Sequence, residues 1–187
     1  MSHTILTLSG SLRSDSSNTG LIRLAERITA LEPSLGLTIV TVDNLDSLPF
    51  YNADLEDPTL TPPSVRDWRA RVEDCVGLFI ASPEYNFGPT ALLKNAIDWV
   101  SRPLGQHALR GKAISLVSSS ASTGGKHMTE QLTTILTLLG NKVIEAPEAL
   151  FVKGAERIFS DGTTSDPDVE EVVRARLVGL AEQLRSA

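Results

Sequence analysis

The sequence holds a single cysteine, Cys75, among its 187 residues. That excludes an intramolecular disulfide and any zinc site built on paired cysteines. Positive charge is also short, with 17 lysines and arginines against 23 aspartates and glutamates, a formal net charge of −6. Such a balance does not suit a protein that neutralises nucleic-acid phosphates or clings to an anionic membrane. No run of 18 apolar residues occurs, so no membrane span is expected. Internal repeats, low-complexity stretches and a basic leader with a cleavage pattern are missing too. The expectation is one domain over residues 1–187, in the cytoplasm, with no metal site.

What is present is an alternation. Thr4–Leu8, Leu37–Val42, Val76–Ala81 and Ala113–Val117 are short, apolar and rich in branched side chains, without clean alternation. Runs of that kind suit strands buried on both faces. A weaker fifth strand is expected from about Asn141, through Val143 and Ile144. Cys75 opens the third of these runs and reads as a small buried hydrophobe.

Between the runs lie helical stripes: Leu21, Leu24, Ala25, Ile28 and Leu31, then Val65, Trp68 and Val72, then Leu132, Ile135, Leu136 and Leu139. A last stripe runs through Val169, Val172, Val173, Leu177, Leu180 and Leu184, with Asp166 or Asp168 beside Pro167 as its start. Strands alternating with helices predict an α/β fold, a parallel sheet covered on both faces. Asn44–Pro63 has no evident periodicity and carries Phe50 and Tyr51, which either line a pocket or subunit contact or anchor the loop.

Three connections stand out. The first, SGSLRSDSSN (Ser9–Asn18), leaves the first strand and enters the first helix. A helix start presents unpaired N–H groups and a favourable dipole to an anion. Ser11, Ser16, Ser17 and Asn18 add donors and Arg13 adds charge, more than a helix cap alone needs. Asp15 is the one residue there that opposes a phosphate. The second, SPEYNFGPTALLKNAIDW (Ser82–Trp99), offers Glu84, Tyr85 and Asn86 between a strand-ending Pro83 and a turn at Gly88–Pro89. It suits a flat heteroaromatic ring, or it is an ordinary β–α connection. The third, SSSASTGGKHM (Ser118–Met128), is made of small residues that let backbone approach a ligand.

Two other phosphate loops are absent. No G-x-G-x-x-G follows the first strand. Gly125–Lys126 resembles the end of a P-loop, but His127 stands at the required Ser/Thr position and Ser120 at the first glycine. In a doubly wound sheet of order 2-1-3-4-5 the three loops meet in one crevice at the switch point. FMN fits that succession of environments, phosphate in the first loop and ring against the other two.

The loops resemble those of the NADPH-dependent FMN reductase family. The resemblance rests on Gly10-Ser11-Leu12-Arg13 with Ser16 and Asn18, on Pro83-Glu84-Tyr85-Asn86, and on Leu93-Lys94-Asn95-Ala96-Ile97-Asp98-Trp99. It extends over nearly the whole chain, including Asn44–Asp54 and Phe159–Gly162. It implies a flavodoxin-like three-layer sandwich with a five-stranded sheet. It also implies that Ser11, Arg13, Ser16 and Asn18 hold the FMN phosphate, with Leu12 and Ser17 counted beside them in the cofactor site. Pro83, Glu84, Tyr85, Asn86 and Phe87 would then support the ribityl chain and ring, with Ser119 or Ser120 on the other side. The chain departs from the family pattern where Phe87 is followed by Gly88-Pro89-Thr90-Ala91, the proline falling one position early. It departs again at Thr123-Gly124-Gly125-Lys126, where Lys126 either meets a phosphate of NADPH or is a solvated helix-start lysine.

The resulting expectation is an oxidoreductase that passes hydride from NADPH or NADH through FMN to a quinone, azo compound, metal oxyanion or free flavin. No side chain is assigned as a catalytic acid or base; His107 and His127 read as structural or solvated. A homodimer or homotetramer is implied by the resemblance. The alternatives are a flavodoxin-like FMN-binding electron carrier without its own NAD(P)H turnover, and a flavin-free phosphate-binding regulatory domain.

Overall fold

Strand β1 spans His3–Ser9, with Ile5–Leu8 buried. In the computed structural model, which describes residues 2–120, 124–144, 151–153 and 158–186, the strands expected from sequence fall within one or two residues of their expected starts. They are β2 (Leu37–Val42), β3 (Gly77–Ala81), β4 (Ala113–Ser120) and β5 (Lys142–Val143). The sheet has the order β2-β1-β3-β4-β5, every pairing parallel.

Successive side chains of a strand point to opposite faces, so a strand covered on both sides must be apolar at every position. Leu6, Leu8, Leu78, Ile80, Ile114 and Leu116 face one core, where they meet Val65, Trp68, Val72, Trp99 and Leu132. Ile5, Phe79, Ala113 and Val117 face the other, against Leu21, Leu24, Ile28, Val173 and Leu177. Helices α2 (Pro63–Asp74), α3 (Ala91–Val100) and α4 (Lys126–Leu138) cover the first face; α1 (Ser17–Leu31) and α5 (Pro167–Arg185) cover the second. Asp166 caps α5, its side chain accepting from the Asp168 N–H. Leu31 was expected on the buried stripe of α1, yet it is 75% exposed. It is the last helical residue, and Glu32 closes the final turn onto the Ile28 carbonyl.

The fifth position of the sheet is divided. β5 pairs with Ala113–Ile114 at the start of β4, and a further strand, β6 (Phe151–Lys153), pairs with Ser118–Ser120 at its end. The sequence reading contained the first piece only. The residues between them, 145–150, lie outside the described residues.

Asn44–Pro63 is tied down rather than structureless. It contains two 3-10 turns, Leu45–Ser47 and Ala53–Leu55, and its middle is stapled to α3. Asn95 accepts from the Tyr51 N–H at 2.8 Å and donates to the Pro49 carbonyl at 3.0 Å. The Trp99 indole donates to the same carbonyl at 2.7 Å, and the Tyr51 ring stands edge-on to Trp99 at 5.1 Å. Phe50, beside this staple, is 83% exposed. Cys75 is buried, which raises its thiol pKa and leaves it inert packing.

Candidate active site

Loops one, two and three leave the carboxyl ends of β1, β3 and β4, which are neighbours, and so emerge side by side. Their closeness is set at Gly10. A Cβ there would lie 2.2 Å from Ser82 Oγ, so no larger residue fits between the first two loops. The Gly10 N–H donates to Ala81 O at 2.8 Å, and the Ser118 hydroxyl donates to Ser82 O at 2.7 Å, joining the three exits. At the third loop, Gly125 has φ 86° and would place a Cβ 2.0 Å from Ser118 Oγ. Residues 121–123, including Thr123, lie outside the described residues.

In the first loop, Ser16 caps α1: its Oγ accepts from the Thr19 N–H at 3.3 Å and its carbonyl from Gly20 at 3.0 Å. That leaves the Ser17 and Asn18 amides without a hydrogen-bond partner among the described residues. The Ser11 hydroxyl accepts from the Arg13 N–H, turning the chain. Arg13 is exposed, and its guanidinium has no hydrogen bond or ion pair among the described residues. Leu12 and Asp15 are exposed as well.

Asn18 departs from a simple phosphate donor. Its side chain is buried and bridges to β4, donating to Ser119 O at 2.9 Å and accepting from Ser119 N at 3.0 Å. The amide fixes loop one to loop three. Ser119 Oγ is buried and has no hydrogen-bond partner among the described residues, and Ser120 is half-buried.

The second loop is a two-residue hairpin. Tyr85 and Gly88 exchange N–H···O bonds of 3.1 Å each, with Asn86 at φ 50° and Phe87 at φ 63°. Two left-handed residues in succession make the type I′ geometry, for which Asn is well suited and Phe is not. Phe87 therefore stores strain of about 1–3 kcal/mol, held by its surroundings. Gln131 donates to the Phe87 carbonyl at 2.6 Å, and the Phe87 ring sits edge-on to His127 at 5.4 Å. The expected turn at Gly88–Pro89 is thus displaced: the turn residues are Asn86 and Phe87, and Thr90 caps α3 by accepting from Leu93 N. Pro83 is buried, while Tyr85, Asn86 and Phe87 are exposed.

Glu84 turns inward. Its carboxylate accepts from the Met128 N–H at 3.1 Å and contacts His127 Nδ1 at 3.2 Å. Sequence reasoning passed over this pair because the partners are 43 residues apart and no local spacing links them. Lys126 is exposed and lies 3.9 Å from Glu130 one turn on, as a solvated helix-start lysine does. His107 lies before β4, at the sheet edge opposite the three loops, beside Leu104, Arg110 and Leu138. Burial holds its pKa below the usual imidazole value.

A cavity of about 210 Å³ adjoins the first loop, lined by Ser9, Ser11, Arg13, Arg23, Thr41 and Asp43. Another, of about 330 Å³, lies between Asn44–Leu48 and α2 and does not reach the crevice. Among the described residues there is no cluster of histidine, cysteine and carboxylates that would hold a metal, and no helix long and apolar enough to cross a membrane.

A parallel sheet of order 2-1-3-4-5, helices on both faces and three loops gathered at its switch point define a flavodoxin-like α/β protein. The model of the NADPH-dependent FMN reductase family matches residues 3–156. This chain belongs to that family, and it is an enzyme, an oxidoreductase that uses FMN with NAD(P)H as co-substrate. It is 38% identical over 179 residues to a probable NADPH:quinone oxidoreductase of Oryza sativa, covering 94% of this chain and 86% of that one. An NAD(P)H:quinone oxidoreductase of Solanum tuberosum is also 38% identical, over 92% of this chain and 88% of its own length. Among solved structures, the flavoenzyme NAD(P)H:(acceptor) oxidoreductase FerB of Paracoccus denitrificans superposes with a TM-score of 0.81. It is 29% identical and covers 97% of this chain and 98% of its own.

Proposed function

We propose that this protein passes hydride from NADPH or NADH, by way of FMN held in the three-loop crevice, to a quinone. The observation that carries this reading is the pairing of an unpartnered Arg13 guanidinium and free helix-start amides with an exposed aromatic turn across the same crevice. When bound, FMN supplies the two-electron carrier between nicotinamide and acceptor.

The residues present fit that group. Ser11, Leu12, Arg13 and Ser16–Asn18 hold the phosphate, Arg13 by charge and Asn18 through its main chain, since its amide is committed to Ser119. Pro83–Phe87 support the ribityl chain and ring, with Ser119 and Ser120 opposite. The Ser119 hydroxyl, without a partner among the described residues, is a buried polar group in need of one. The whole of residues 1–187 serves as one FMN-binding domain, in the cytoplasm. Leu12, Phe50, Tyr85 and Phe87 are exposed apolar side chains, three of them on the crevice loops. A second copy covering them, in a homodimer or homotetramer, would exclude water from the ring. The relatives in rice and potato, with which nearly the whole chain aligns, support a quinone as the acceptor.

Anaerobic mixing tests the reading. FMN-loaded protein should lose its yellow colour on adding NADPH and regain it on adding a benzoquinone, and steady-state plots should show ping-pong kinetics. A yellow protein that ignores both nicotinamides would be an electron carrier instead.

A further inference from the structure

Helix α4 begins without a cap of its own, since Gly125 precedes it and offers no side chain. Glu84, reaching across from the second loop, takes that place by accepting from Met128 N at 3.1 Å. The Glu84 side chain is only 5% exposed, and it also contacts His127 Nδ1 at 3.2 Å. A carboxylate only accepts hydrogen bonds, so the hydrogen of the neutral imidazole sits on Nδ1. Nε2 is then left on the ring's other edge. His127 is 43% exposed, and the Phe87 ring stands at 90° to it at 5.4 Å. Phe87 is itself held at a strained φ of 63° by the hairpin and by Gln131. Glu84 on one side and Phe87, itself braced by Gln131, on the other therefore fix one imidazole beside the second loop.

We propose that His127 is the acid that protonates the reduced acceptor, with Glu84 as its positioning residue, and that the acceptor is of a class whose reduction consumes protons. This rests on the reading that the same crevice carries NAD(P)H-to-quinone transfer. The chemistry balances without another reagent. A quinone becomes a hydroquinone by gaining one hydride, which brings both electrons, and one proton. The Nε2–H bond of the imidazolium breaks, its electron pair stays on nitrogen, and the new O–H bond forms on the acceptor. Water restores the proton to Nε2. Among the described residues, the charged groups around the imidazole are Glu84 from the second loop and the Lys126–Glu130 pair on α4 itself.

The test compares a benzoquinone with ferricyanide, an acceptor that takes electrons without protons, in FMN-loaded protein. For His127→Gln the benzoquinone turnover should fall about 100-fold, while ferricyanide turnover and bleaching by NADPH change less than about twofold. A second readout needs no flavin: nitrogen-15 shifts of His127 in the flavin-free protein should report the Nδ1–H tautomer, and Glu84→Gln should abolish that preference. Equal losses with both acceptors, no loss with either, or a dominant Nε2–H tautomer would each overturn the proposal. A wild-type protein that NADPH does not bleach overturns the parent reading and this one together. Normal bleaching with an insensitive His127 variant overturns this one alone.

Discussion

Replacing Asn18 with alanine should lower the stability of the protein by about 3 kcal/mol, a large effect for one side chain at the edge of a binding loop. β3 ends at Ala81, and the Ser82 N–H makes the next bond across to Val117 O. β4 runs on to Ser120, so Ser119 has lost its strand neighbour on that side. The Asn18 amide fills the gap, accepting from Ser119 N and donating to Ser119 O as a peptide group would. Truncation costs not the net worth of the two bonds, about 1 kcal/mol each, but the stranding of a buried N–H and C=O, at about 1–3 kcal/mol apiece. Urea unfolding should show a lower midpoint at an unchanged slope. Asn18→Asp should lose much of the same stability, because a carboxylate cannot donate to the Ser119 carbonyl. A midpoint equal to wild type in Asn18→Ala would mean the amide does not join the two loops.

Arg13→Ala should have the opposite profile. The guanidinium is exposed and has no partner among the described residues, so its removal should leave stability within about 0.5 kcal/mol. FMN binding should weaken about 10- to 100-fold, the value of one charge-assisted contact to a phosphate. Arg13→Lys should recover part of the loss, keeping the charge but not the two-pronged geometry. Flavin fluorescence titration of the flavin-free variants measures this. A variant that binds FMN as wild type does would place the phosphate away from Arg13.

The layers and the sheet order were legible because β1, β3 and β4 are buried on both faces, which writes an unbroken apolar run into the chain; β2, at the sheet edge, keeps the same composition although Thr38 and Val40 are exposed. The helix stripes were legible for the same reason, one face at a time, and failed at Leu31, the exposed last residue of α1. β6 was not legible: three residues carry no period, and their register comes from the edge of β4. The site was legible as loops and as donors, and less so as contacts. Asn18 reads as one more phosphate donor in SGSLRSDSSN, but its amide is spent on a residue 101 positions away. The stretch from Leu93 to Trp99 reads as part of a flavin signature, yet Asn95 and Trp99 work at a distance from the loops, pinning Pro49 and Tyr51. The left-handed Phe87 carries no sequence signal, because aromatics do not favour that conformation and it is the Tyr85–Gly88 hairpin, with Gln131 and His127, that holds it here.

The central claim is that the first loop grips a phosphate and thereby selects FMN. It is tested most directly by titrating the flavin-free protein with FMN and with riboflavin, which differ only in that group. FMN should bind about 1,000-fold more tightly, close to 4 kcal/mol from the helix-start amides, the serines and Arg13 together. Equal affinity for the two flavins would contradict the account.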